Sequence, residues 1–205
     1  MKEKSIVGVK LPKTERGKEK LQKLADAAEK IFAEKGFYGT SIADICERAD
    51  AAVGTFYIYF DDKSAIYRYL VNDFEQRIIS AVRSSIAECT SRLDRKRCGI
   101  KAFIRFAWEN PLCFNIILGS LSVDKKIFEQ YCTDFAKSYA ESLVRDNSEL
   151  KELDITTVSY VLMGITDFAA LKFIIEEDFS ESHLESTVDT IMQLLTDGLF
   201  LSPKN

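Results

Sequence analysis

Apolar side chains recur every four residues along the middle of the chain, and this spacing limits the possible folds more than any other feature. Such a spacing places the apolar groups on one face of an α-helix, so it predicts a single long amphipathic helix over residues 63–89. Only 3 prolines and 9 glycines interrupt the 205 residues, which favours long helices over a β fold with many turns. Six residues carry the repeat: Ile66, Leu70, Phe74, Ile78, Val82 and Ile86.

Helical patterns also cover the rest of the chain. Ser41 with Asp44, and Ser182 with Glu185, have the spacing of a capping box at a helix start. The segment 55–60 is β-branched and aromatic and would favour a strand by propensity, but its place just after a short capped helix indicates a helix. We predict an all-α fold of about nine helices, with a three-helix N-terminal head and a C-terminal helical bundle. The further predicted helices are 17–35, 41–49, 53–60, 98–109, 111–118, 124–146, 155–176 and 182–201.

The charge is distributed unevenly along the chain. The whole chain has a net charge of −4, which by itself argues against binding to nucleic acid. Residues 1–23, however, hold eight basic and three acidic residues, a net charge of +5. Residues 1–63 hold 12 basic and 11 acidic residues, and residues 64–205 hold 16 basic and 21 acidic residues. The acidity therefore belongs to the C-terminal part and does not exclude a nucleic-acid-binding head.

The cysteines and the single histidine restrict the chemistry. Five cysteines without a CxxC spacing indicate reduced cytosolic thiols packed as small apolar groups, with a redox pair of Cys89 and Cys98 as the alternative. Because His183 is the only histidine, a histidine-based metal site or a Ser-His-Asp triad is excluded. The sequence has no Gly-rich phosphate loop or nucleophile elbow either, so we expect neither an enzyme nor a bound metal or cofactor.

The N-terminus and the longest uncharged stretch bear on localisation. Residues 1–20 carry charges throughout and lack the apolar core of a signal peptide. The longest run without a charged residue is 110–123, which at 14 residues is too short to span a bilayer. We therefore expect a cytoplasmic protein that does not insert into membranes.

Residues 40–63, which read TSIADICERADAAVGTFYIYFDDK, predict a helix-turn-helix. The second helix of such a motif enters the DNA major groove, so its exposed face requires small or planar residues. Thr40 and Ser41 at a helix start favour a phosphate, Gly54 permits close backbone approach, and Lys63 is a second candidate phosphate contact. A purely structural helical hairpin is the alternative. The candidate DNA contacts are Thr40, Ser41, Ala43, Arg48, Ala52, Val53, Gly54, Thr55, Tyr57, Ile58, Tyr59 and Lys63.

This stretch closely resembles the N-terminal DNA-binding domain of the TetR family of transcriptional regulators. The likeness is dense over about residues 20–70 and extends more weakly, in length and helical layout, to the whole chain. It implies a basic flexible arm (1–16), a helix-turn-helix DNA-binding domain (17–62) and a ligand-binding and dimerisation domain (63–205). The matching residues are Gly36-Phe37, Thr40-Ser41-Ile42, Asp44-Ile45, Ala49, Gly54-Thr55-Phe56-Tyr57, Tyr59-Phe60 and Lys63.

The same resemblance implies the partners. A family member is a homodimer whose two heads bind a palindromic operator in double-stranded DNA, and whose last two helices build a four-helix dimer interface. A small-molecule effector bound in the helical body changes the spacing of the heads. We therefore expect a repressor that such an effector releases from DNA, the alternative being an architectural or regulatory DNA-binding protein without an effector.

Several positions depart from the family pattern. Asp50 stands where the family usually has glycine, and Asp tolerates the left-handed conformation that the turn needs. Ala52 replaces a frequent serine, while Val53 and Ile58 replace polar residues that usually face bases. We therefore predict contacts with thymine methyl groups and few bidentate hydrogen bonds. The basic arm either adds phosphate or minor-groove contacts or is a solvated tail.

The C-terminal body is rich in aromatic residues and predicts a pocket for an apolar or amphipathic effector. Asp167 lies among apolar residues of a predicted helix, where an unpaired charge is costly. It either pairs with a basic residue, faces the dimer partner or binds the polar end of a ligand. The candidate pocket residues are Phe103, Phe106, Phe114, Ile117, Phe135, Tyr139, Met163, Asp167 and Phe168.

Overall fold

The computed structural model describes residues 5–144 and 153–197, and over these residues the fold is all-α. Nine helices lie in the described part of the chain, and the isolated bridge between Val9 and Phe60 is its only β pairing. Their bounds are α1 Glu15–Lys35, α2 Ile42–Arg48, α3 Val53–Tyr59, α4 Lys63–Ile86, α5 Arg92–Glu109, α6 Pro111–Val123, α7 Lys125–Val144, α8 Ile155–Glu176 and α9 Glu181–Asp197.

The helix ends differ in how well they agree with the capping boxes and bounds predicted from the sequence. The capping box at α2 is confirmed, because the Ser41 hydroxyl accepts from the Asp44 amide and the Asp44 carboxylate accepts from the Ser41 amide. The second predicted box is wrong: α9 begins at Glu181, and the Ser180 hydroxyl rather than that of Ser182 accepts from a backbone amide in the first turn. α5 begins six residues before the predicted start. The predicted ends at 146 and 201 lie outside the described residues.

The chain divides into two compact units, and the division differs from the single boundary expected at residue 63. The first unit comprises the described residues through Gln76 together with Leu112–Tyr131. The second comprises Arg77–Pro111 and the described residues from Cys132 onward. The first boundary lies after Gln76 rather than at residue 63, because the first half of α4 is part of the core around α1–α3. Ile66 and Leu70 are almost fully buried there. Helices α4 and α7 therefore contribute to both units.

Aromatic rings close the core of the first unit. Phe56, Phe60 and Phe74 are fully buried, and burial of each ring contributes about 2–3 kcal/mol of hydrophobic free energy. Tyr67 packs edge-on against Phe32 and donates its hydroxyl to the Ile116 carbonyl at 2.7 Å. That hydrogen bond connects α6 to α4 within this unit.

Residues 5–14 do not form the flexible arm that the sequence predicted. The Lys10 amide donates to the Tyr59 carbonyl at 2.8 Å, and the Asp61 amide donates to the Gly8 carbonyl at 2.9 Å. Gly8 has a φ of 77°, and a Cβ at this position would lie 3.0 Å from that of Ala65, so a larger residue fits poorly. These backbone pairs hold the segment against the end of α3 and the start of α4. Residues 1–4 lie outside the described residues.

Ion pairs connect α5 to α9 in the second unit. Arg97 pairs with Asp189, Lys101 with Glu185, and Arg105 with Glu181 at 2.6 Å. The three basic residues are four residues apart, so they lie on one face of α5, above a core that α5 shares with α8. The core residues of this unit include Ile100, Phe103, Ile104, Met163, Ala170, Phe173, Leu184 and Val188.

α8 has two different apolar sides. By length and composition alone this helix could cross a membrane, and 33% of its most apolar stretch is buried inside the protein. Leu162, Ala170 and Phe173 face the core of the second unit. Phe168 and Ile175 are 73% and 71% exposed, so the opposite side presents large apolar groups to the solvent.

Candidate nucleic-acid interface and cavity

The α2–α3 segment presents a surface that is small, apolar and aromatic. α3 buries Phe56 and turns Val53, Tyr57 and Ile58 outward, with about half of each side chain exposed. The left-handed turn before it is confirmed at Asp50, whose φ is 49°. No described residue lies within 4 Å of a Cβ built at Gly54, so this part of the structure leaves room for a partner to approach the backbone there.

Most of the DNA contacts predicted from the sequence lie together on this surface. Ala52 is the N-cap residue of α3 and makes no side-chain capping hydrogen bond, and Thr55 is half-buried beside the exposed Val53, Tyr57 and Ile58. Ser41 and Ala43 are exposed on the α2 side. The hydroxyl of Ser41 also donates to the Asp44 carboxylate at 2.6 Å, which with the capping bonds lowers the pKa of Asp44 to about 2. Asp44 therefore remains a carboxylate at neutral pH and fixes the start of α2.

Thr40 and Tyr59 are not available to a partner. Thr40 is 3% exposed and donates its hydroxyl to the Gly36 carbonyl at 2.7 Å, so it closes the turn after α1. Tyr59 is buried because it lies three residues after Phe56, on the core side of α3. Both side chains therefore have roles inside the head, which for Tyr59 the spacing from Phe56 already indicates.

Lys63 acts inside the head rather than on its surface. Its ammonium donates to the carbonyls of Phe37 and Thr40, both at 2.6 Å, and lies 4.4 Å from the centre of the Phe37 ring. Both carbonyls belong to the loop between α1 and α2. The side chain therefore fixes this loop to the start of α4, a structural role that the sequence did not predict.

Arg48 is exposed but already has a carboxylate partner. Its guanidinium forms a bidentate pair with Glu34 at 2.7 and 2.8 Å, and this hydrogen bonding lowers the pKa of the Glu34 carboxyl. The neighbouring Lys35 pairs with Asp44 at 3.2 Å. The basic residues beside α2 therefore carry much less net positive charge than the sequence indicates.

A cavity of about 390 Å³ lies in the second unit, between the second half of α4, α5 and α7. This volume is within the usual range for small-molecule pockets, roughly 300–1,000 Å³. Its walls are mainly apolar, and its basic residues outnumber the single carboxylate, Glu141. The apolar residues are Ile78, Ile79, Val82, Ile86, Ile100, Phe103 and Phe135, and the basic residues are Arg83, Arg92, Arg95 and Lys96.

Lys96 is the most buried cation of this cavity. Its ammonium lies 4.8 Å from the centre of the Tyr139 ring. Burial and the charge of Arg92 lower the pKa of Lys96 to about 8, so most molecules still carry a protonated Lys96 at neutral pH. Burial also raises the pKa of Tyr139 to about 12, which keeps its phenol neutral. A cation in an apolar cavity is suited to binding an anion.

The pocket residues predicted from the sequence are only partly brought together. Phe103, Phe135 and Tyr139 line the cavity. Phe106 and Met163 belong to the same unit but lie outside the lining, with Phe106 under the Arg77 guanidinium. Phe114 and Ile117 are core residues of the first unit, and Phe168 is exposed to solvent. The basic residues of the cavity were missed, although the cluster at Arg92, Arg95 and Lys96 is visible in the sequence.

Asp167 is half-buried on α8 and has an unsatisfied oxygen. Its Oδ1 is buried and accepts no hydrogen bond from any described residue. Burial raises the pKa of Asp167 to about 7, and its charge acts on Tyr139 and Cys132 of α7. The pairing with a basic residue expected from the sequence is not found in the described part of the chain.

Comparisons with known proteins identify the fold and the head. Residues 24–70 match the family described as "Bacterial regulatory proteins, tetR family". The chain is 23% identical over 134 residues to the "HTH-type transcriptional activator FasR" of Mycolicibacterium smegmatis, a match that covers 62% of this chain and 59% of that protein. The chain thus spans less than two thirds of this relative's length.

Two solved structures share the fold. A putative TetR-family regulator from Syntrophomonas wolfei superposes with a TM-score of 0.78 at 23% identity, covering 90% of this chain and 98% of that one. FadR from Bacillus subtilis, solved in complex with stearoyl-CoA, superposes with a TM-score of 0.73 at 16% identity, covering 87% and 99%. The helix-turn-helix, the nine described helices and these matches agree. Residues 24–70 therefore match the tetR family of bacterial regulatory proteins, and the described helices have the fold of solved regulators of that family.

Proposed function

We propose that this regulator is a repressor that leaves its operator when an amphipathic anion enters the cavity of the second unit. The observation that carries the proposal is the combination of apolar walls with Arg83, Arg92, Arg95 and Lys96 in one cavity. Apolar walls suit an acyl chain, and the basic residues suit a carboxylate or phosphate. The stearoyl-CoA bound to B. subtilis FadR has both parts, which supports an acyl thioester as the effector here.

The DNA-binding surface in this proposal is the exposed face of α2 and α3. Val53 and Ile58 contact thymine methyl groups, Tyr57 contacts the backbone or a base, and Gly54 lets the helix approach closely. Ser41 and Ala43 border the contact from α2. Ala52 and Thr55 complete it at the start of α3.

A second copy of the chain covers the outward side of α8. Val161, Phe168 and Ile175 are exposed and seven residues apart, a spacing that places them along one side of the helix. Leu194 and Leu195 are partly exposed near the end of α9. An isologous interface over these two helices makes a homodimer with two heads, which matches a palindromic operator. This interface, rather than lipid, accounts for the apolar surface of α8 in a cytoplasmic protein.

The first experiment measures effector binding by calorimetry, with palmitoyl-CoA, palmitate and free CoA as probes. We expect palmitoyl-CoA to bind, and Lys96→Met to weaken its binding by roughly tenfold because a charge-assisted contact is lost. Lys137→Met is the matched control, since this exposed lysine lies on α7 near the cavity and should leave binding unchanged. Equal binding by all three proteins, or no binding of any probe, would refute the effector site.

The second experiment tests the consequence for DNA. Genomic fragments that the protein retains are selected, and the affinity for a selected duplex is measured with and without palmitoyl-CoA. We expect the effector to weaken DNA binding, and DNA to weaken effector binding by the same factor, as linkage requires. Tight DNA binding that no acyl compound changes would instead indicate a DNA-binding protein without such an effector.

A further inference from the structure

Two half-buried cysteines lie next to each other where α4 passes into α5. Cys89 follows the last residue of α4 by three positions, and Cys98 lies in the second turn of α5. Ser85 of α4 contacts both residues, through the thiol of Cys89 and the backbone carbonyl of Cys98. This shared contact places the two cysteines beside each other where the helices connect.

Ser85 holds both cysteines in this arrangement. Its backbone carbonyl accepts a hydrogen bond from the Cys89 thiol, with a sulfur–oxygen distance of 3.7 Å. Its hydroxyl donates to the Val82 carbonyl at 2.8 Å and shares this hydrogen with the Cys98 carbonyl at 3.3 Å, so the last turn of α4 also contacts the backbone of α5 at the cysteine itself. The adjacent Gly99 faces α4, because a Cβ built there would be in ordinary van der Waals contact with Val82 at 3.6 Å. The positions of the two cysteines thus follow from the packing of α5 against the end of α4.

We propose that Cys89 and Cys98 form a reversible disulfide when the protein meets hydroperoxides. In the first step, one thiolate attacks the O–O bond, which gives a sulfenic acid and releases an alcohol, or water from hydrogen peroxide. In the second step, the other thiolate attacks the sulfenic sulfur, forms the S–S bond and releases water. Two thiols and one hydroperoxide thus give one disulfide, one alcohol and one water. A cellular dithiol or excess thiol reverses the reaction.

The surroundings favour this pair over the other cysteines. Cys46 and Cys113 are fully buried, whereas Cys89 and Cys98 are both half-buried and within reach of a small oxidant. Cys132 is also half-buried, and burial and the charge of Asp167 raise the pKa of its thiol, but the bonds of Ser85 connect Cys89 with Cys98 rather than with Cys132. The neighbouring Cys98 thiol and burial raise the pKa of the Cys89 thiol, so oxidation should be faster above neutral pH.

The disulfide would lie beside residues that line the cavity. Ile86 of α4 and Arg92 and Arg95 of α5 line the cavity and surround the two cysteines in the sequence. The Arg95 guanidinium also donates to the Cys89 carbonyl at 3.2 Å. A covalent bond between Cys89 and Cys98 therefore prevents α4 and α5 from separating, and so opposes ligand entry. This consequence rests on the proposed function, whereas formation of the disulfide does not.

The test of the disulfide uses the full chain treated with hydrogen peroxide, followed by alkylation of the remaining thiols and peptide mapping by mass spectrometry. We expect a Cys89–Cys98 peptide pair that dithiothreitol removes, and three alkylated cysteines. Cys132→Ser should leave this result unchanged, while Cys89→Ser and Cys98→Ser should each abolish it. Circular dichroism confirms that each variant is folded. A disulfide that includes Cys132, or full alkylation of all five thiols after oxidation, overturns the proposal.

The effect on the cavity is measured separately, with palmitoyl-CoA and the reduced and oxidised proteins. We expect oxidation to weaken binding by roughly tenfold, within the usual range for coupling between two sites, and Cys98→Ser to show no such change. If the disulfide forms but binding is unchanged, the regulatory consequence is wrong. If the disulfide forms and neither state binds the probe, the proposed effector fails while the oxidation site stands.

Discussion

Replacing Lys63 by methionine separates a structural role from a DNA-contacting one. The substitution removes the ammonium that donates to the Phe37 and Thr40 carbonyls at 2.6 Å and that lies over the Phe37 ring. Methionine keeps an unbranched apolar stem and a similar helix propensity, so the first turn of α4 is preserved. The two carbonyls are left without their donor.

The expected loss of stability follows from these contacts. A hydrogen bond to a charged group contributes about 1.5–3 kcal/mol, and an exposed cation–π contact about 0.5–1 kcal/mol. Lys63 is half-buried, so water replaces part of what is lost and the lower end of each range applies. We therefore expect the free energy of unfolding to fall by about 2–4 kcal/mol.

Two measurements on the full-length protein check this reasoning. The first is urea unfolding at fixed protein concentration, with Lys30→Met as the control because Lys30 is exposed on α1. The second is the dependence of duplex DNA affinity on salt, in which each lost phosphate contact lowers the slope by about 0.9. We expect Lys63→Met to be destabilised and to keep its slope. A stable variant with a slope lower by about one would refute the structural role.

Three further predictions test individual groups. Burial raises the pKa of Asp167 to about 7, so the folded state favours the protonated carboxyl. The free energy of unfolding of the wild type should therefore fall as the pH rises from about 4 to 7. Asp167→Asn should remove that fall and be about 2–4 kcal/mol more stable than the wild type in urea unfolding above pH 7. Tyr67→Phe loses a buried hydrogen bond and should cost about 1–2 kcal/mol in the same assay. Tyr38→Phe loses an exposed hydrogen bond to the Ser122 carbonyl, which water can replace, and should cost only about 0.5 kcal/mol. Glu34→Gln removes the carboxylate partner of Arg48 and should steepen the salt dependence of DNA binding by up to about 0.9, and an unchanged slope would place Arg48 outside the interface.

Local patterns predicted the helices well where both the period and the caps agree. The α8 bounds, Ile155–Glu176, were predicted from periodicity, and Asp154 caps the helix through the amides of Thr156 and Thr157. The start of α5 was missed because residues 92–97 are mostly charged and show no apolar period. A capping signal was nevertheless present, since the Ser91 hydroxyl accepts from the Asp94 amide. In a charged segment the cap is therefore the better guide to a helix start.

The partners of polar side chains were much harder to predict than the helices. The exposed face of α3 follows from the helical period, because Phe56 and Tyr59 take the buried side. The roles of Thr40 and Lys63 do not follow from any local pattern, since their partners are backbone carbonyls, which every residue has. The cavity poses the same difficulty, because its basic residues come from two helices whose packing depends on distant apolar contacts.

The ion pairs of the first unit change what its positive charge means for DNA binding. The affinity for non-specific DNA depends on how many phosphates the protein neutralises, whereas contacts with base edges do not require phosphate neutralisation. Within residues 5–76 of this unit, five cations pair with carboxylates: Lys10, Lys18, Lys35, Arg48 and Arg68. Lys63 is a sixth cation with a partner inside the head, because its ammonium donates to the Phe37 carbonyl. An interface that combines few available cations with the apolar face of α3 should bind random DNA weakly. Discrimination between the operator and random sequence should therefore depend mainly on thymine methyl contacts and groove shape. Raising the salt concentration should then weaken non-specific binding sooner than operator binding, and equal loss of both would show that the interface is mainly electrostatic.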